Sequence, residues 1–485
     1  MNILVTGATG YIGGRLIPRL LQKGYFVRCL ARRPENLSDR PWNTSEHSVE
    51  VVAGDVLDPS SLKLAFVGVE VAYYLVHSMS AGEKGFEDRD RRAAKNFGEA
   101  ARQAGVRKII YLGGLGEERG LGEELSPHLQ SRHEVGEILR QSGVPVTEFR
   151  AAIIVGSGSI SFEMIRYLTE RLPLMICPKW VLSRCQPISI RDVLAYLLAA
   201  VEVSASDNKI LEIGGRDVLT YADMMRRYAK VRGLHRLLIR VPVLTPRLSS
   251  YWVDLITPIP AALARPLIEG LKNDVVCRRR EALEIFPFQP MGYEEALRLA
   301  LDRSSQGSIE TMWSGAESSR SSRLAASIQI REGMIVETRQ AEVHAAAEKV
   351  FEVVASLGGA RGWLYANWMW TLRGLFDRIL GGVGMRRGRR DSRSLQVGDA
   401  VDFWRVEAIE KNRLLRLRAE MKLPGRAWLQ FQLASEQGVS RLTQSAFFEP
   451  KGLGGLLYWY LLYPMHRMIF SGLCRRIRRL SEGMS

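Results

Sequence analysis

The first 200 residues alternate short apolar runs with longer amphipathic stretches. Segments of helix length, such as 13–23 and 89–104, separate the runs, and this alternation is typical of repeated strand–helix–strand units. It predicts an α/β fold built on a doubly wound parallel sheet. The predicted strands are Ile3–Val5, Phe26–Leu30, Val49–Ala53, Val69–Val76, Lys108–Leu112 and Val146–Phe149.

The pattern changes twice in the second half of the chain. Five prolines interrupt the apolar stretch 236–271, which excludes one continuous helix and predicts an irregular lid or substrate subdomain. Between residues 302 and 327 Ser and Gly are frequent and aliphatic residues are few, as in interdomain linkers. We therefore predict a first domain at 1–310, with its substrate subdomain at about 150–310, and a linker at 311–327.

The remaining residues, 328–485, predict a separate α+β domain that ends in a long helix. Apolar residues near a 3.6-residue period indicate this helix. Uninterrupted apolarity lasts only from Leu453 to Met465, whereas a bilayer span needs about 20 residues, so we predict a core helix. The predicted elements are strands at 334–343, 400–409, 413–421 and 427–433, a helix at 345–355 and the closing helix at 452–480.

Composition and charge narrow the class of protein. Of the 485 residues 46% are hydrophobic and 25% charged, which excludes a disordered chain and a multispan membrane protein. The net charge is +16, and residues 321–485 carry 26 basic and 15 acidic side chains, a net of +11. This basic surface is either solvated or a contact for acidic lipids, nucleotides or nucleic acid. We expect no nucleic-acid partner and at most weak contact with a membrane surface.

The cysteines and the N-terminus favour a cytoplasmic location. Five scattered cysteines show no metal-ligand spacing, so neither a disulfide framework nor a metal site is predicted. The chain enters an apolar strand directly after Met1, without the features of a secretory signal.

The strongest motif is the glycine-rich octet at 6–13, between the first predicted strand and the first predicted helix. Gly7 permits a tight turn, Gly10 lets a pyrophosphate approach the backbone, and Gly13 lets the helix pack on the strand. The helix N-terminus attracts phosphate charge, so the motif predicts a bound dinucleotide. The predicted contact residues are Thr6, Gly7, Thr9, Gly10, Tyr11, Ile12 and Gly13.

The end of the second strand distinguishes between two dinucleotides. A carboxylate there accepts a hydrogen bond from a ribose 2′-hydroxyl, whereas arginine pairs with a 2′-phosphate. Arg32 and Arg33 occupy this position without an acid, so we predict NADP, with solvent-facing arginines as the alternative. Asp55, after the third strand, is placed either to accept from the adenine amine or to cap its own turn.

The octet TGATGYIG, the arginine after strand two and GDVLD at 54–58 resemble the atypical and extended short-chain dehydrogenase/reductase superfamily, with its NmrA-like and epimerase-like members. The resemblance covers residues 1–310 and implies an NAD(P)-binding Rossmann fold. Members of that superfamily carry a Tyr-x-x-x-Lys pair after strand five and a serine near the end of that strand. The matching positions here hold His128 and Arg132, and glycine at 113 and 114.

This departure leaves two interpretations of the site. Four residues apart on one helix, His128 and Arg132 either supply a proton and a cation or only hydrogen-bond the cofactor ribose and carboxamide. His77 and Ser78, after strand four, are lesser candidates for contact with the cofactor or ordinary loop residues.

The C-terminal third resembles the DUF2867 domain, which is similar to the helix-grip fold of START-like lipid-binding proteins. The segments that carry the resemblance are 402–406, 423–429 and 458–460. It implies a cavity between a sheet and the last helix, although core packing also explains the aromatic residues. The loop at 385–390 is either a site for phosphate headgroups or a solvated run. The candidate lining residues are Trp404, Trp428, Phe431, Tyr458 and Trp459.

These observations predict an NADPH-dependent oxidoreductase that acts on a carbonyl or an activated double bond of an apolar small molecule. One alternative is an NADP-binding sensor or scaffold without turnover. Another is a lipid-binding carrier whose nucleotide domain is regulatory.

Overall fold

The chain divides into two compact units, Met1–Ser319 and Arg320–Ser485. The predicted linker lies outside the described residues except for Ser327, which begins a strand, and the predicted domain boundaries stay predictions. The computed structural model describes residues 1–37, 40, 42–43, 49–76, 86–116, 126–241, 256–257, 259, 268–270, 274–306, 327–331, 333–358, 362–379, 395–436 and 439–483.

A seven-stranded sheet forms the centre of the first unit, and all of its neighbouring strands pair in parallel. The strand order is β11-β6-β5-β4-β1-β2-β3. Continuous apolar strands such as Ile3–Val5 are fully buried because helices cover both faces of a parallel sheet. The strands of this unit are β1 (Asn2–Thr6), β2 (Phe26–Ala31), β3 (Val49–Ala53), β4 (Val71–Tyr74), β5 (Lys108–Gly114), β6 (Val146–Ala151), β7 (Ile154–Val155), β8 (Leu174–Cys177), β9 (Arg184–Cys185), β10 (Ile188–Ser189), β11 (Lys209–Ile213), β12 (Leu219–Thr220) and β13 (Leu237–Arg240).

This arrangement confirms the predicted doubly wound α/β fold. The chain reverses its direction of winding between β1 and β4, and in such sheets a crevice opens at that point beyond the carboxyl ends of the strands. Most of the predicted lid at 236–271 lies outside the described residues. The helices are α1 (Gly13–Gln22), α2 (Pro59–Ala65), α3 (Phe86–Gln103), α4 (Pro127–Gln141), α5 (Ile160–Arg171), α6 (Ile190–Ala199), α7 (Tyr221–Arg232), α8 (Glu281–Ile285) and α9 (Tyr293–Gln306).

The second unit is a seven-stranded antiparallel sheet with a long helix packed across it, as the α+β prediction expects. The strand order is β14-β15-β20-β19-β18-β17-β16, and the helix α12 packs on β15 and β20. The elements are β14 (Ser327–Arg331), β15 (Met334–Val343), α10 (Ala347–Ala355), α11 (Asn367–Ile379), β16 (Ala400–Val401), β17 (Trp404–Glu410), β18 (Leu414–Ala419), β19 (Gly425–Glu436), β20 (Val439–Pro450) and α12 (Gly452–Ser481).

The structure divides the strand predicted at 400–409 into two short strands. Asp402 has a φ of 54° and its carboxylate accepts a hydrogen bond of 2.9 Å from the Trp363 indole. Trp363 also stacks on Trp370 with ring centroids 4.6 Å apart. The turn at Asp402 thus places a carboxylate acceptor beside this buried indole, which needs one.

Trp428 does not lie in the space between sheet and helix, which corrects one sequence prediction. On β19 the side chains of Leu429, Phe431 and Leu433 enter the core, and Trp428 has the opposite phase. There it contacts the Arg416 guanidinium, 6.0 Å from the ring centroid.

The closing helix is a core helix on one side only. Trp459, Ile469 and Leu473 are buried against the sheet, as predicted. Leu457 and Leu461, which the same period includes, are instead 62% and 81% exposed. Among the described helices, α12 included, none combines the length and the apolarity that a membrane crossing requires.

We predict that a fragment comprising residues 320–485 folds alone. It contains its own sheet, helices and aromatic core, as an independent domain requires. Circular dichroism should show β structure, the near-ultraviolet signal of stacked indoles, and cooperative thermal unfolding. A fragment that unfolds without cooperativity, beside a 1–319 fragment that unfolds normally, would contradict the prediction.

Candidate functional site

A cavity of about 590 Å³ opens at the carboxyl edge of the parallel sheet. The ends of β1, β2, β5 and β6 line it together with residues of α3, α4, α5 and α7. Its position beside the β1–β4 reversal is where α/β sheets bind their ligands.

The glycine octet forms one wall of this cavity, and its geometry fits a dinucleotide. Gly7 has a φ of 71°, and a Cβ there would lie 2.5 Å from the Leu75 carbonyl oxygen. A Cβ at Gly13 would lie 2.4 Å from the Gly7 carbonyl oxygen. The glycines therefore leave the backbone of the β1–α1 turn uncovered by side chains. The α1 N-terminus faces the crevice where a pyrophosphate would be held.

Thr6 fixes this turn against the neighbouring strand. Its hydroxyl donates to the Tyr73 carbonyl oxygen at 2.9 Å and accepts from the Leu75 amide at 3.2 Å. The sequence indicated Thr6 as a contact for the cofactor, and the structure adds that it ties β1 to β4.

The cavity carries an excess of positive charge. Among the described lining residues, the arginines are Arg32, Arg89 and Arg132, and the acidic residue is Asp55. This excess suits a ligand with several phosphate charges.

Arg32 and Arg33 occupy different positions although both are exposed. Arg32 lines the cavity, whereas Arg33 is not among its lining residues. Asp55 also lines it, and its carboxylate accepts from the Leu57 amide at 3.0 Å. Asp55 therefore caps its own turn while keeping access to the cavity.

Helix α4 brings His128 and Arg132 to the same cavity. Pro127 occupies the first turn, and the Ser126 hydroxyl accepts from the Leu129 amide, as at many helix starts. His128 and Arg132, one turn apart, are half-buried and line the cavity. The Arg132 guanidinium donates to the Leu112 carbonyl oxygen and lies 5.9 Å from the Tyr111 ring centroid.

The glycines at the end of β5 leave little room for the hydroxyl found there in the short-chain dehydrogenase/reductase superfamily. A Cβ at Gly114 would lie 2.6 Å from the Leu129 Cδ2 atom, and a Cβ at Gly113 would lie 3.3 Å from the Tyr111 ring. A side chain at Gly114 would therefore require the Leu129 side chain of α4 to shift.

Two groups outside the cavity lining, the half-buried His133 and the buried Tyr111, support the position of α4. Burial and the Arg150 charge lower the pKa of His133 to about 4, so the ring is neutral when Nε2 donates to the Gly114 carbonyl oxygen at 3.2 Å. Burial raises the pKa of Tyr111 to about 12, and its hydroxyl donates to the Arg132 carbonyl oxygen at 2.9 Å.

The far part of the cavity is apolar, and sequence analysis missed it. Four segments supply it: the β6–β7 region, α5, α7 and Val275, which pairs with Cys185 of β9. These segments are spread over residues 153–275, so no local motif marks the wall; the apolar face of α5 next to a predicted strand end was the available signal. The residues are Ile153, Ile154, Ile160, Met164, Ile165, Leu168, Tyr221, Met225 and Val275.

The structure brings together nearly all of the predicted site residues. His77 and Ser78 lie outside the described residues, and Arg33 stays apart from the cavity lining. The catalytic and binding roles of these residues stay predictions. Those that line the cavity are Thr6, Gly7, Thr9, Gly10, Tyr11, Ile12, Gly13, Arg32, Asp55, His128 and Arg132.

The space between sheet and last helix in the second unit contains packed aromatic and polar side chains. Trp404, Phe431 and Trp459 belong to the core, and Tyr458 packs against it. Arg339 donates to Glu337 at 2.5 Å and to the Ser471 hydroxyl at 3.0 Å. Burial raises the pKa of Glu337, and the Arg339 charge opposes this rise. The loop at 385–390 lies outside the described residues.

Comparison with known families divides the chain in the same way. The NmrA-like family matches residues 1–234, and the family described as a protein of unknown function, DUF2867, matches residues 331–473.

Individual relatives match the first unit. The ceramide reductase of Caulobacter vibrioides is 30% identical over 242 residues, which cover 50% of this chain and 73% of that protein. The photosystem II assembly factor Ycf39 of Cyanophora paradoxa is 24% identical over 246 residues, 50% of this chain and 72% of that protein.

Among solved structures, the triphenylmethane reductase of Citrobacter sp. shares the fold. It has a TM-score of 0.50 and 20% identity, with 62% of this chain and all of that chain covered. The chain therefore belongs to the NmrA-like family of NAD(P)-binding, reductase-like Rossmann proteins of the extended short-chain type, with a DUF2867 domain in its second unit.

Proposed function

We propose that the first unit is an NADPH-dependent oxidoreductase that reduces a carbonyl or an activated double bond of an apolar small molecule. The observation that carries this proposal is a single cavity that joins the glycine cradle, a cationic rim and an apolar wall. A cavity of this kind accommodates a charged cofactor and an uncharged substrate together.

Arg32 supports NADP as the cofactor. It lies at the end of β2 and lines the cavity, at the position where a 2′-phosphate is recognised in Rossmann folds. Residues 30–34, at and after the end of β2, contain no carboxylate that would select a free 2′-hydroxyl.

The reaction needs a hydride and a proton. Bound NADPH would supply the hydride for the carbonyl carbon or for the β-carbon of the double bond. His128 donates the proton to the oxygen or to the α-carbon, directly or through a water molecule. Arg132 holds the cofactor ribose with its cationic guanidinium, four residues further along the same helix.

The apolar wall determines the class of substrate. Met164, Ile165, Leu168 and Met225 offer hydrocarbon and thioether surface, and methionine side chains adapt to irregular ligands. The ceramide reductase relative is named for a substrate with long apolar chains, which supports an apolar substrate here.

A nucleotide-binding protein without turnover is the second candidate. Glycine stands at 113 and 114, where the usual serine would be, and one relative is named as an assembly factor. Mass spectrometry of apolar molecules that copurify with the protein, followed by NADPH oxidation assays with each, separates the two functions. Turnover supports the reductase; nucleotide binding without turnover on any of them supports the second candidate.

The Gly13→Ala substitution should weaken NADPH binding at least roughly 10-fold, because the new methyl group would displace the α1 N-terminus from the Gly7 carbonyl. Gly454→Ala is the matched control, since a Cβ there meets nothing within 4 Å. Titration by nicotinamide fluorescence gives both dissociation constants. Unchanged binding by a folded Gly13→Ala protein would exclude the octet as the phosphate cradle.

The Arg32→Ala substitution should raise the Kd for NADPH about 10-fold or more and leave the Kd for NADH unchanged, because a charge-assisted hydrogen bond contributes roughly 1.5 to 3 kcal/mol. Arg33→Ala should have a smaller effect, since that side chain does not line the cavity. The exposed Arg102 provides the control variant Arg102→Ala. Equal affinities of the parent protein for the two cofactors would contradict NADP selection.

The His128→Ala substitution should lower kcat roughly 10²-fold with little change in the Kd for NADPH, because a general acid acts in the transition state. Arg132→Ala should instead raise that Kd. Gln130→Ala, on the exposed side of α4, is the control. The assay is the NADPH oxidation described above, and full turnover by the His128 variant would assign the proton to another donor.

A further inference from the structure

Helix α11 presents a stripe of five apolar side chains to solvent, flanked by the exposed Asn367 and Thr371. The exposed fraction reaches 67% at Trp368 and 71% at Ile379. The spacing of three, four and seven residues places these side chains on one stripe, and Met369, Trp370 and Asp377 are buried on the other side. We call this stripe the α11 face; its residues are Trp368, Leu372, Leu375, Phe376 and Ile379.

Helix α12 has a second exposed apolar stripe, which runs from Leu453 to Met468. It lies opposite Trp459, which is buried against the sheet. We call it the α12 face; its residues are Leu453, Leu457, Tyr460, Leu461 and Met468.

Both helices flank the short loop between β18 and β19. The Lys422 carbonyl oxygen accepts from Arg373 at 3.0 Å, and the Lys422 amide donates to Asp377 at 2.6 Å, both on α11. Two residues further, the Pro424 carbonyl oxygen accepts from the Lys451 amide at 2.9 Å, at the start of α12. Both helices are therefore anchored to the same loop, and each carries its own exposed apolar face.

The charge around these faces is positive. Lys422, Lys451 and Arg467 are exposed. The acidic residue of the two helices, Asp377, is fully buried, so it adds no negative charge to the surface. The C-terminal half of α12 adds the exposed arginines Arg475, Arg478 and Arg479.

We propose that the α11 and α12 faces form a docking surface for an anionic lipid bilayer. Apolar and aromatic side chains at the surface, surrounded by basic residues, are the combination by which a helix lies in the interface of a membrane. The net charge of +11 over residues 321–485 attracts the unit to acidic headgroups, and Trp368 and Tyr460 suit the headgroup region. The protein binds to the bilayer surface without a spanning helix among its described residues. This role is independent of the chemistry proposed for the first unit.

The test measures sedimentation of the full-length protein with vesicles of phosphatidylcholine alone and of phosphatidylcholine mixed with phosphatidylglycerol. We expect binding to the mixed vesicles, and a loss of roughly 10-fold or more in high salt, because screening removes the attraction to anionic headgroups. The double variant Trp368→Gln, Phe376→Gln should lose roughly 10-fold or more in affinity, since it removes two large apolar side chains from the interface. Both positions are exposed, so its circular dichroism should match that of the parent protein.

Val397→Gln is the matched control, because Val397 is 65% exposed and lies outside both helices. It should bind vesicles like the parent protein. The proposal fails if the parent ignores anionic vesicles or if the double variant binds them equally well. It also fails if the parent is a dimer in gel filtration that the double variant dissociates, because a second copy would then cover the faces. None of these outcomes depends on NADPH turnover.

Discussion

The architecture of the first unit depends on a close approach between backbone segments at the end of β1. Helix α1 begins so close to the strand that a methyl group at Gly13 would lie 2.4 Å from the Gly7 carbonyl oxygen. A Cβ at Gly7 would lie 2.5 Å from the carbonyl oxygen of Leu75, the residue that follows β4. Hydrogen bonds of the Thr6 hydroxyl connect β1 to the end of β4. The crevice, the direction of the α1 N-terminus and the access to Arg32 and Asp55 all follow from this contact.

The same constraint acts again where α4 packs on the sheet. The absence of a side chain at Gly114 on β5 leaves room for Leu129 of α4. On α4 itself, a Cβ at Gly136 would lie 2.4 Å from the buried Glu148 carboxylate. Glu148 in turn pairs with Arg150 at 2.7 Å and with Arg140, which is itself on α4. The helix that carries His128 and Arg132 is thus held by glycine contacts and a buried ion cluster. These contacts fix the position of α4 on the sheet and thereby the place of His128 and Arg132 in the cavity.

The sequence predicted those parts of the protein that one local pattern specifies. The octet at 6–13 and the apolar strands are such patterns, and the structure confirms the fold that they indicate. Two kinds of information were missing. The apolar wall of the cavity assembles from Ile154, Met164 and Met225, which no spacing rule connects. The resemblance to the helix-grip fold also offered Trp428 and Phe431 together as lining residues, although residues three apart on a strand face opposite sides; Phe431 enters the core, and Trp428 packs beside Arg416 on the other face.

The α11 face is a second case in which an apolar pattern does not reveal what the side chains contact, because its residues are exposed. The second unit uses the buried side of α11, where Met369 and Trp370 enter the core and Asp377 binds the Lys422 amide. Replacing the exposed Trp368, Leu372 and Ile379 by polar residues would leave every one of these contacts intact. The core of the unit therefore does not require an apolar outer side, and exposing so much apolar surface opposes solubility. The apolar character of the α11 face therefore has to be explained by a contact outside the described fold.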